Sequence, residues 1–395
     1  MKRNDLKLGV EVFFEKECYS KKFKKAKIAL LTHQAAVDKN LVLTYELFYK
    51  EFGDRLLYLF SPQHGLFSEK QANMDFSSDE IEPLFGLEVK SLYGERLAPE
   101  RHDLEKVDVI FVDLVDVGCR VYTYIWTLFL TMKSCDEFRK EIVVCDRLNP
   151  LGRTLEGPIL EKEFYSFVGL DSLPMRHGLT IGEVAKLFQK RHFPNLSLEV
   201  IPMENYNPYA MFPAFGSFWV PPSPNLPTFS TALVYPGMVL FEGTNLSEGR
   251  GTTLPFLTFG APYLNFKKMA EFLKEHFPEE AWGIKFKPTA FIPTFDKWKG
   301  EKCLGFQIFI TNPILFKPVT FALKLMKFLY EECPSFEFLK IPYEFERVKR
   351  PIDILLGRKK ILHWLEEGEE EDIDGLLSEG LEEFRREIEA IIIYN

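Results

Sequence analysis

Short apolar runs alternate with segments of helical spacing over the first 150 residues, and this alternation restricts the fold more than any other feature. Each run has the length and the continuous Val, Ile and Leu content of a fully buried strand. The runs are "KIALLT" (27–32), "RLLYLFS" (55–61), "VKSLYG" (89–94), "VDVIFVDL" (107–114) and "EIVVCDR" (141–147). Strands that alternate with helices indicate a mainly parallel sheet covered on both faces. We therefore expect an α/β domain over residues 1–155.

The pattern changes after about residue 155, and residues 156–395 are predicted to form a second α/β domain. "HGLTIGEVAKLFQKRH" (177–192) predicts a helix with Thr180 as its N-cap and Glu183 completing a capping box. Beyond a predicted strand at 196–203, a Pro- and Gly-rich stretch from residue 219 to 260 has little periodicity. Long irregular segments of compact domains are often functional.

Composition and missing motifs exclude several classes of protein. The net charge of −9 argues against a nucleic-acid-binding surface. No glycine-rich phosphate loop follows the first strand, and GxSxG, HExxH and CxxC motifs are absent, so we expect no cofactor and no metal. The N-terminus lacks the apolar region of a signal peptide, and no run is long enough for a membrane span, so a cytoplasmic protein is expected.

Polar side chains follow every predicted strand. "THQ" follows the first, "PQHG" (62–65) the second, "YG" the third, "DLVDVGCRVYTYIWT" (113–127) the fourth and "DRLNPLG" (146–152) the fifth. Because ligands bind outside the carboxyl ends of parallel strands, these loops are expected to share one polar rim. A metal triad of His33, His64 and His177 stays open as an alternative, although their spacing does not indicate one.

A second informative stretch is "FEGTNLSEGRGTTLPF" (241–256). Its glycines permit sharp turns and close approach of backbone to a ligand. Glu242, Asn245, Glu248 and Arg250 supply carboxylates, an amide and a guanidinium, and Trp219 lies upstream beside a proline-stiffened loop. A flat apolar face with planar hydrogen-bonding groups is what sugar recognition needs. The alternative is a structural loop with a local Glu248–Arg250 ion pair.

Many motifs occur here in one order and together identify a family resemblance. They are "SPQHGLFSEKQANM", "SLYG", "DVGCRVYTYIWT", "DRLNPLG", "EGP", "SFVG", "HGLTIGE", "PPSPNLPT", "YPG", "FEGTNLSEGRGTT" and "GAPY". From about residue 25 to the C-terminus the chain resembles the NamZ-type exo-β-N-acetylmuramidases. The resemblance implies a Rossmann-like N-terminal domain, an α/β C-terminal domain and a cleft between them. It also implies a glycosidase that removes N-acetylmuramic acid from the non-reducing end of peptidoglycan fragments. The expected partner is therefore a small carbohydrate substrate, a muropeptide or a disaccharide fragment.

One departure from the family pattern concerns the catalytic acid. Many members have Pro-Glu-His-Gly where this chain has Gln63, and an amide cannot exchange a proton as a carboxyl group does. Glycoside hydrolysis usually needs two carboxyl groups, one of them protonated. The candidates are Glu69, Asp116 and Glu248, with Glu69 first because Leu66 and Phe67 are expected to desolvate it. The substrate's own acetamido group can replace the second carboxylate.

The remaining candidates are assigned to substrate binding. Arg120, Arg147 or Arg250 can hold the lactyl carboxylate of muramic acid, since a guanidinium matches a carboxylate bidentately. The full predicted set is Gln63, His64, Arg120, Tyr122, Arg147, Asn149, His177, Asn245 and Arg250. Two other functions stay open: a non-catalytic muropeptide- or sugar-binding protein, which Gln63 favours, and a metal-dependent hydrolase using His33, His64 and Asp116.

Overall fold

The computed structural model describes residues 6–71, 76–368 and 372–395. Strands of the N-terminal half are β1 (Ile28–Thr32), β2 (Leu56–Ser61), β3 (Glu80–Ile81), β4 (Glu88–Ser91), β5 (Val109–Asp113), β6 (Glu141–Cys145), β7 (Glu156–Ile159), β8 (Pro174–Arg176) and β9 (Leu198–Ile201). Seven of them form one sheet in the order β3-β4-β2-β1-β5-β6-β9, and β7 pairs with β8.

The main sheet is parallel except for β3, which runs antiparallel to β4. All five predicted strands are present, so the predicted α/β class with a mainly parallel sheet is confirmed. The strand β9 lies beyond residue 155 and pairs with β6. The predicted division at residue 155 therefore cuts through this sheet, because chain that was assigned to the second domain completes it.

Helices cover both faces of the sheet. In the N-terminal half they are α1 (Gly9–Glu15), α2 (Glu17–Phe23), α3 (Thr44–Phe52), α4 (Arg101–Leu104), α5 (Tyr124–Glu137) and α6 (Ile181–His192). Phe13, Phe48 and Phe111 pack together on one face, with ring centroids 4.9–5.6 Å apart. The neighbouring Ile110 and Val112 of β5 face the opposite core, because side chains alternate along a strand. The capping box predicted for α6 is also present, with Thr180 and Glu183 hydrogen bonded reciprocally.

The C-terminal half contains a smaller sheet with helices. Its strands are β10 (Thr258–Ala261), β11 (Ile284–Phe291) and β12 (Cys303–Ile310), antiparallel in the order β10-β12-β11. Its helices are α7 (Phe229–Met238), α8 (Phe266–His276), α9 (Glu279–Trp282), α10 (Pro318–Glu332), α11 (Pro351–Leu356), α12 (Lys359–Glu367), α13 (Ile373–Ser378) and α14 (Leu381–Ile388). One apolar core runs from the α5–α6 face of the main sheet into this half. The two halves therefore pack as one structure, with loops of both halves meeting at the carboxyl edge of the main sheet.

Candidate active site

A pocket lies where the loops after β2 and β5 meet segments of the C-terminal half. We call it the acid pocket. Its lining residues are Gln63, His64, Val121, Tyr122, Thr123, Val168, Ser223, Asn225, Leu226, Tyr235, Glu242, Arg250, Phe256, Tyr343 and Glu344. This is the edge of a parallel sheet at which ligands are expected to bind.

The carboxyl group of Glu344 is buried in the acid pocket and held from two sides. The Gln63 amide donates a hydrogen bond to one of its oxygens at 3.0 Å, and the Tyr93 hydroxyl donates to the other at 2.7 Å. Gln63 is itself fixed, because Thr123 donates to its carbonyl oxygen at 2.6 Å. Burial raises the pKa of Glu344 to about 7, although its two donors pull the pKa down. A carboxyl group of this kind can give up a proton near neutral pH.

A second buried carboxyl group, Glu242, has a cationic partner. The Arg250 guanidinium lies 2.8 Å from one Glu242 oxygen, and the Tyr343 hydroxyl donates to the other. Burial raises the pKa of Glu242, and Arg250 opposes this increase. Desolvation alone lowers the pKa of Arg250, but Glu242 and Glu248 outweigh it and raise the pKa. The pocket thus holds one carboxyl group among neutral donors and one against a guanidinium.

His64 presents a neutral ring to the pocket. Burial lowers its pKa to about 4, and the charge of Arg250 acts in the same direction. Its Nδ1 lies 2.7 Å from the carbonyl oxygen of Lys70, which can only accept, so Nδ1 carries the proton. The Nε2 atom is therefore an acceptor, suited to a hydroxyl group of a sugar.

Three residues of the pocket hold a left-handed backbone conformation that side chains rarely adopt. The φ angles are +76° at His64, +60° at Phe256 and +46° at Glu344. Such conformations cost roughly 1–3 kcal/mol each and cluster at functional sites. The surrounding packing therefore fixes the direction of these side chains at an energetic cost.

The acid pocket is narrow in this structure. Its atom-free space is about 410 Å³ with the open mouth included, but the centre of a water molecule can move in only about 30 Å³ of it. A sugar ring needs the walls to move apart. The turn that carries Glu344 is held by Phe345, whose ring packs against Phe76, Tyr93 and Phe167 at centroid distances of 5.2–5.6 Å.

Four of the predicted site residues meet in the acid pocket: Gln63, His64, Tyr122 and Arg250. The predicted acid Glu69 does not line it. Its side chain is 46% exposed and lies 3.9 Å from Lys70. The expectation that Leu66 and Phe67 desolvate Glu69 is wrong, because Leu66 is buried in the core that contains Phe13 and Phe111 and leaves the carboxyl group in solvent.

Asp116 and His177 form a buried pair outside the acid pocket. The His177 Nε2 lies 3.1 Å from an Asp116 oxygen that also accepts from the Gly118 amide at 2.7 Å. Because His177 Nδ1 accepts from the Leu179 amide, Nε2 carries the proton. Asn149 binds the Leu179 carbonyl and the Leu151 amide. These three predicted residues hold loops together and do not reach the pocket.

The other two predicted arginines are committed elsewhere. The guanidinium of Arg120 is fully buried and donates to the carbonyl oxygens of Pro158, Leu173, Leu355 and Leu356 at 2.6–3.2 Å. Desolvation lowers the pKa of Arg120 to about 10. Arg147 binds both oxygens of Asp113 and lines a different cavity. The interpretation of Arg120 as a substrate ligand is therefore wrong, and it instead joins the two halves of the chain.

The glycine-rich segment 241–256 folds mainly against protein. Glu248 is buried and pairs with Lys297, while Arg250 Nε lies 3.6 Å from it. Asn245 accepts from Tyr263 at 2.7 Å and donates to the Ser335 carbonyl, also at 2.7 Å. A Cβ atom at Gly251 would lie 2.7 Å from the Phe295 carbonyl oxygen. The close approach predicted from these glycines is therefore to neighbouring backbone, and of the segment's predicted site residues only Arg250 lines the pocket.

Sequence reasoning missed Glu344, Tyr343, Tyr235 and Phe256. Glu344 lies in "IPYEFERV", which follows no predicted strand and has no catalytic motif. Tyr235, Phe256, Ser223 and Asn225 lie in the motifs quoted above without an assigned role, and Glu242 is named there only within the 241–256 stretch. The burial of Glu344 depends on packing between segments 281 residues apart, which periodicity does not reveal.

The histidines do not form the metal triad considered above. His33 Nε2 accepts from the Val115 amide at 3.0 Å, and His64 and His177 have the partners already described. Among the described residues, one group of three potential ligands lies close together, Glu100, His102 and Asp103. Glu100 and His102 are exposed, Asp103 is buried, and none of the three lines the acid pocket.

Comparison with known families explains the order of motifs in the chain. The family model described as exo-β-N-acetylmuramidase NamZ, N-terminal, matches residues 28–230, and the C-terminal model matches residues 233–394. The chain belongs to the NamZ family. The family models divide the chain near residue 231, which keeps β9 with the main sheet.

Individual proteins that are similar to this chain support the family assignment in sequence and in structure. The peptidoglycan β-N-acetylmuramidase NamZ of Bacillus subtilis (strain 168) is 39% identical over 324 residues, which are 81% of this chain and 77% of that protein. Two crystal structures of DUF1343 family proteins from Bacteroides fragilis NCTC 9343 have TM-scores of 0.85 and 0.76. They are 27% and 25% identical and cover 99–100% of both chains. These matches confirm the predicted fold class over the whole length. No helix within the described ranges is long and apolar enough to cross a membrane.

Proposed function

We propose that this chain is an exo-acting β-N-acetylmuramidase that removes N-acetylmuramic acid from the non-reducing end of peptidoglycan fragments. Membership of the NamZ family supports the reaction class. The observation that carries the proposal is the pair of buried carboxyl groups, Glu344 and Glu242, in one pocket. A carboxyl pair in different environments is the usual arrangement for glycoside hydrolysis.

Glu344 is the general acid in this proposal. Its raised pKa leaves it largely protonated below neutral pH, and it can donate that proton to the glycosidic oxygen as the bond breaks. Gln63 and Tyr93 hold the carboxyl group in one orientation by donating to its oxygens. Gln63 thus acts through Glu344, and the amide does not need to exchange a proton itself.

Glu242 supplies the opposing negative charge. The transition state of glycoside cleavage resembles an oxocarbenium ion, and a nearby carboxylate stabilises it. Arg250 lies against Glu242 and favours the charged form. Either Glu242 or the acetamido group of the substrate then serves as the partner of the acid.

Substrate recognition is assigned to the remaining lining residues. Arg250 is assigned to the lactyl carboxylate, since it lines the pocket and a guanidinium matches a carboxylate bidentately. His64 Nε2 accepts from a sugar hydroxyl. Tyr122, Tyr235 and Phe256 supply apolar ring surface to the sugar. Because the pocket is narrow, its walls must open for a ring to bind, as active-site loops commonly do.

Turnover of 4-nitrophenyl β-N-acetylmuramide by the purified chain tests this function. We expect release of nitrophenolate that is unchanged by a metal chelator. Binding without turnover would instead support the sugar-binding alternative that Gln63 favours. Loss of activity with chelator would support the metal-dependent hydrolase. The cytoplasmic location stays a prediction of the sequence.

A further inference from the structure

A second cavity, much larger than the acid pocket, opens at the same edge of the main sheet. The centre of a water molecule can move in about 650 Å³ of this cavity, compared with about 30 Å³ of the acid pocket. It is lined by residues that follow β1, β5 and β6, among them Val37, Val115 and Arg147. We call it the switch-point cavity. The strands β1 and β5 are neighbours in the sheet, and the chain adds further strands on either side of this pair in opposite directions. Its volume is typical of small-molecule sites.

The charges of this cavity indicate a neutral ligand. Three cationic and three anionic side chains line it: Lys7, Lys39, Arg147, Glu11, Asp38 and Glu204. Several of these charged side chains already have partners within the protein. Arg147 binds Asp113, Lys7 pairs with Glu15 at 2.5 Å, and Glu11 accepts from the backbone amides of Leu8 and Lys39. A phosphate or nucleotide would need an excess of cationic groups or a glycine-rich loop, and the loop after β1 has neither.

Four aromatic side chains contribute to the lining of the cavity. Phe212, Phe215, Phe218 and Trp219 line the cavity, and Phe218 is 63% exposed. Asn40, Asn205 and Ser217 add amide and hydroxyl groups at the same cavity. Flat apolar faces beside neutral hydrogen-bonding groups suit an uncharged saccharide better than a peptide with charged ends.

The two cavities share two loops. Trp219 and Val220 line the switch-point cavity, while Ser223 and Asn225 line the acid pocket. Three residues of extended chain span at most about 11 Å, so Val220 and Ser223 are no farther apart than the length of a short oligosaccharide. The loop after β5 also serves both, through Val115 on one side and Tyr122 on the other. The two cavities are therefore neighbours along the same edge of the main sheet.

We propose that the switch-point cavity binds the leaving-group side of the substrate, the N-acetylglucosamine-containing saccharide that follows the cleaved bond. This inference rests on the proposed function, and it assigns the larger cavity to the part of the chain that remains after cleavage. It accounts for a second, larger and electrically balanced site beside a narrow pocket that takes only the terminal residue once its walls open.

Comparison of two substrates tests the inference. A tetrasaccharide of one terminal N-acetylmuramic acid followed by three N-acetylglucosamine residues has an uncharged leaving part and fills both sites, whereas 4-nitrophenyl β-N-acetylmuramide reaches only the acid pocket. The variant Phe218→Ala removes an exposed ring from the cavity, and we expect the ratio of kcat/KM for tetrasaccharide over nitrophenyl substrate to fall roughly three- to tenfold. Tyr209→Ala is the matched control, because Tyr209 is 73% exposed and does not line the cavity.

Direct binding separates this inference from the proposed function. We expect di-N-acetylchitobiose to bind the wild-type protein in calorimetry and to bind Phe218→Ala more weakly by a similar factor, whether or not hydrolysis occurs. An unchanged substrate ratio together with chitobiose affinity equal in wild type and variant would overturn the inference. Absence of turnover on both substrates, with chitobiose binding intact and weakened by Phe218→Ala, would overturn the hydrolase and leave the saccharide site standing.

Discussion

The side-chain amide of Gln63 donates a hydrogen bond to the carboxyl group of Glu344 at 3.0 Å, across 281 residues of sequence. This contact connects the loop after β2 with a turn near the C-terminus. It gives the amide at position 63 a definite task, since the amide orients a buried carboxyl group whose pKa is raised to about 7.

The rate of hydrolysis is expected to fall on the alkaline side of neutrality. Glu344 must be protonated to act as the acid, and its raised pKa means that the protonated fraction declines through about pH 7. We expect kcat/KM to decrease about tenfold per pH unit above that point. A pH–rate profile from pH 5 to 9 measures this. A profile that is flat to pH 9 would contradict the assignment.

Stability of the folded chain should respond to the same group. The folded-state pKa of Glu344 is raised, so between pH 4.5 and about 7 the folded state holds a proton that the unfolded state releases. Wild-type stability is therefore reduced by up to about 3 kcal/mol as pH rises through this window. Glu344→Gln lacks this loss, so its free energy of unfolding relative to wild type should increase from pH 5 to pH 8. Urea denaturation at both pH values measures the difference, and an unchanged difference would contradict the raised pKa.

The variant Gln63→Glu places a second carboxyl group against Glu344. Two carboxyl groups in contact cannot both ionise easily, so one apparent pKa of the pair rises. We expect the alkaline limb of the pH–rate profile to move to higher pH. Gln63→Leu is the matched comparison. It removes a donor that lowers the pKa of Glu344, so the limb should also move to higher pH, but by less than in Gln63→Glu because no second charge is added. The idea fails if both variants give the same profile.

Arg250 is expected to select muramic acid through its lactyl carboxylate. In Arg250→Lys the positive charge beside Glu242 is kept but the bidentate geometry is lost. The preference for 4-nitrophenyl β-N-acetylmuramide over the matching β-N-acetylglucosaminide should fall about 10- to 100-fold. Kinetics on the two substrates measure this preference. An unchanged preference would assign the lactyl group to another residue.

Arg120 should affect stability and not specificity. Its guanidinium satisfies four buried carbonyl oxygens, including those of Leu355 and Leu356 in α11. We expect Arg120→Ala to lower the free energy of unfolding by about 3 kcal/mol or more, because these oxygens lose their donor. The same substrate preference should remain in the folded fraction. A changed preference at unchanged stability would restore Arg120 to the substrate site.

The sequence predicted the sheet well because its strands are continuous apolar runs with polar loops at their carboxyl ends. His64 and Tyr122 could be placed in the site for that reason. Asp116 and Arg120 follow the same strand as Tyr122, but their side chains turn into the structure, and strand position does not reveal direction. Glu344 could not be found, since its environment is created by Tyr93 and Gln63 from distant parts of the chain.

Glu344→Gln and Glu69→Gln, compared side by side, test the central claim most directly. Both variants remove one carboxyl group, but Glu344 is buried in the acid pocket and Glu69 is exposed outside it. On a disaccharide of N-acetylmuramic acid and N-acetylglucosamine, Glu344→Gln should lower kcat roughly 10²- to 10⁴-fold, the usual contribution of acid–base catalysis. The nitrophenyl substrate should recover much of that loss, because its leaving group needs no proton, and Glu69→Gln should keep wild-type activity. Full activity of Glu344→Gln on the disaccharide, or the large loss in Glu69→Gln instead, would contradict the account.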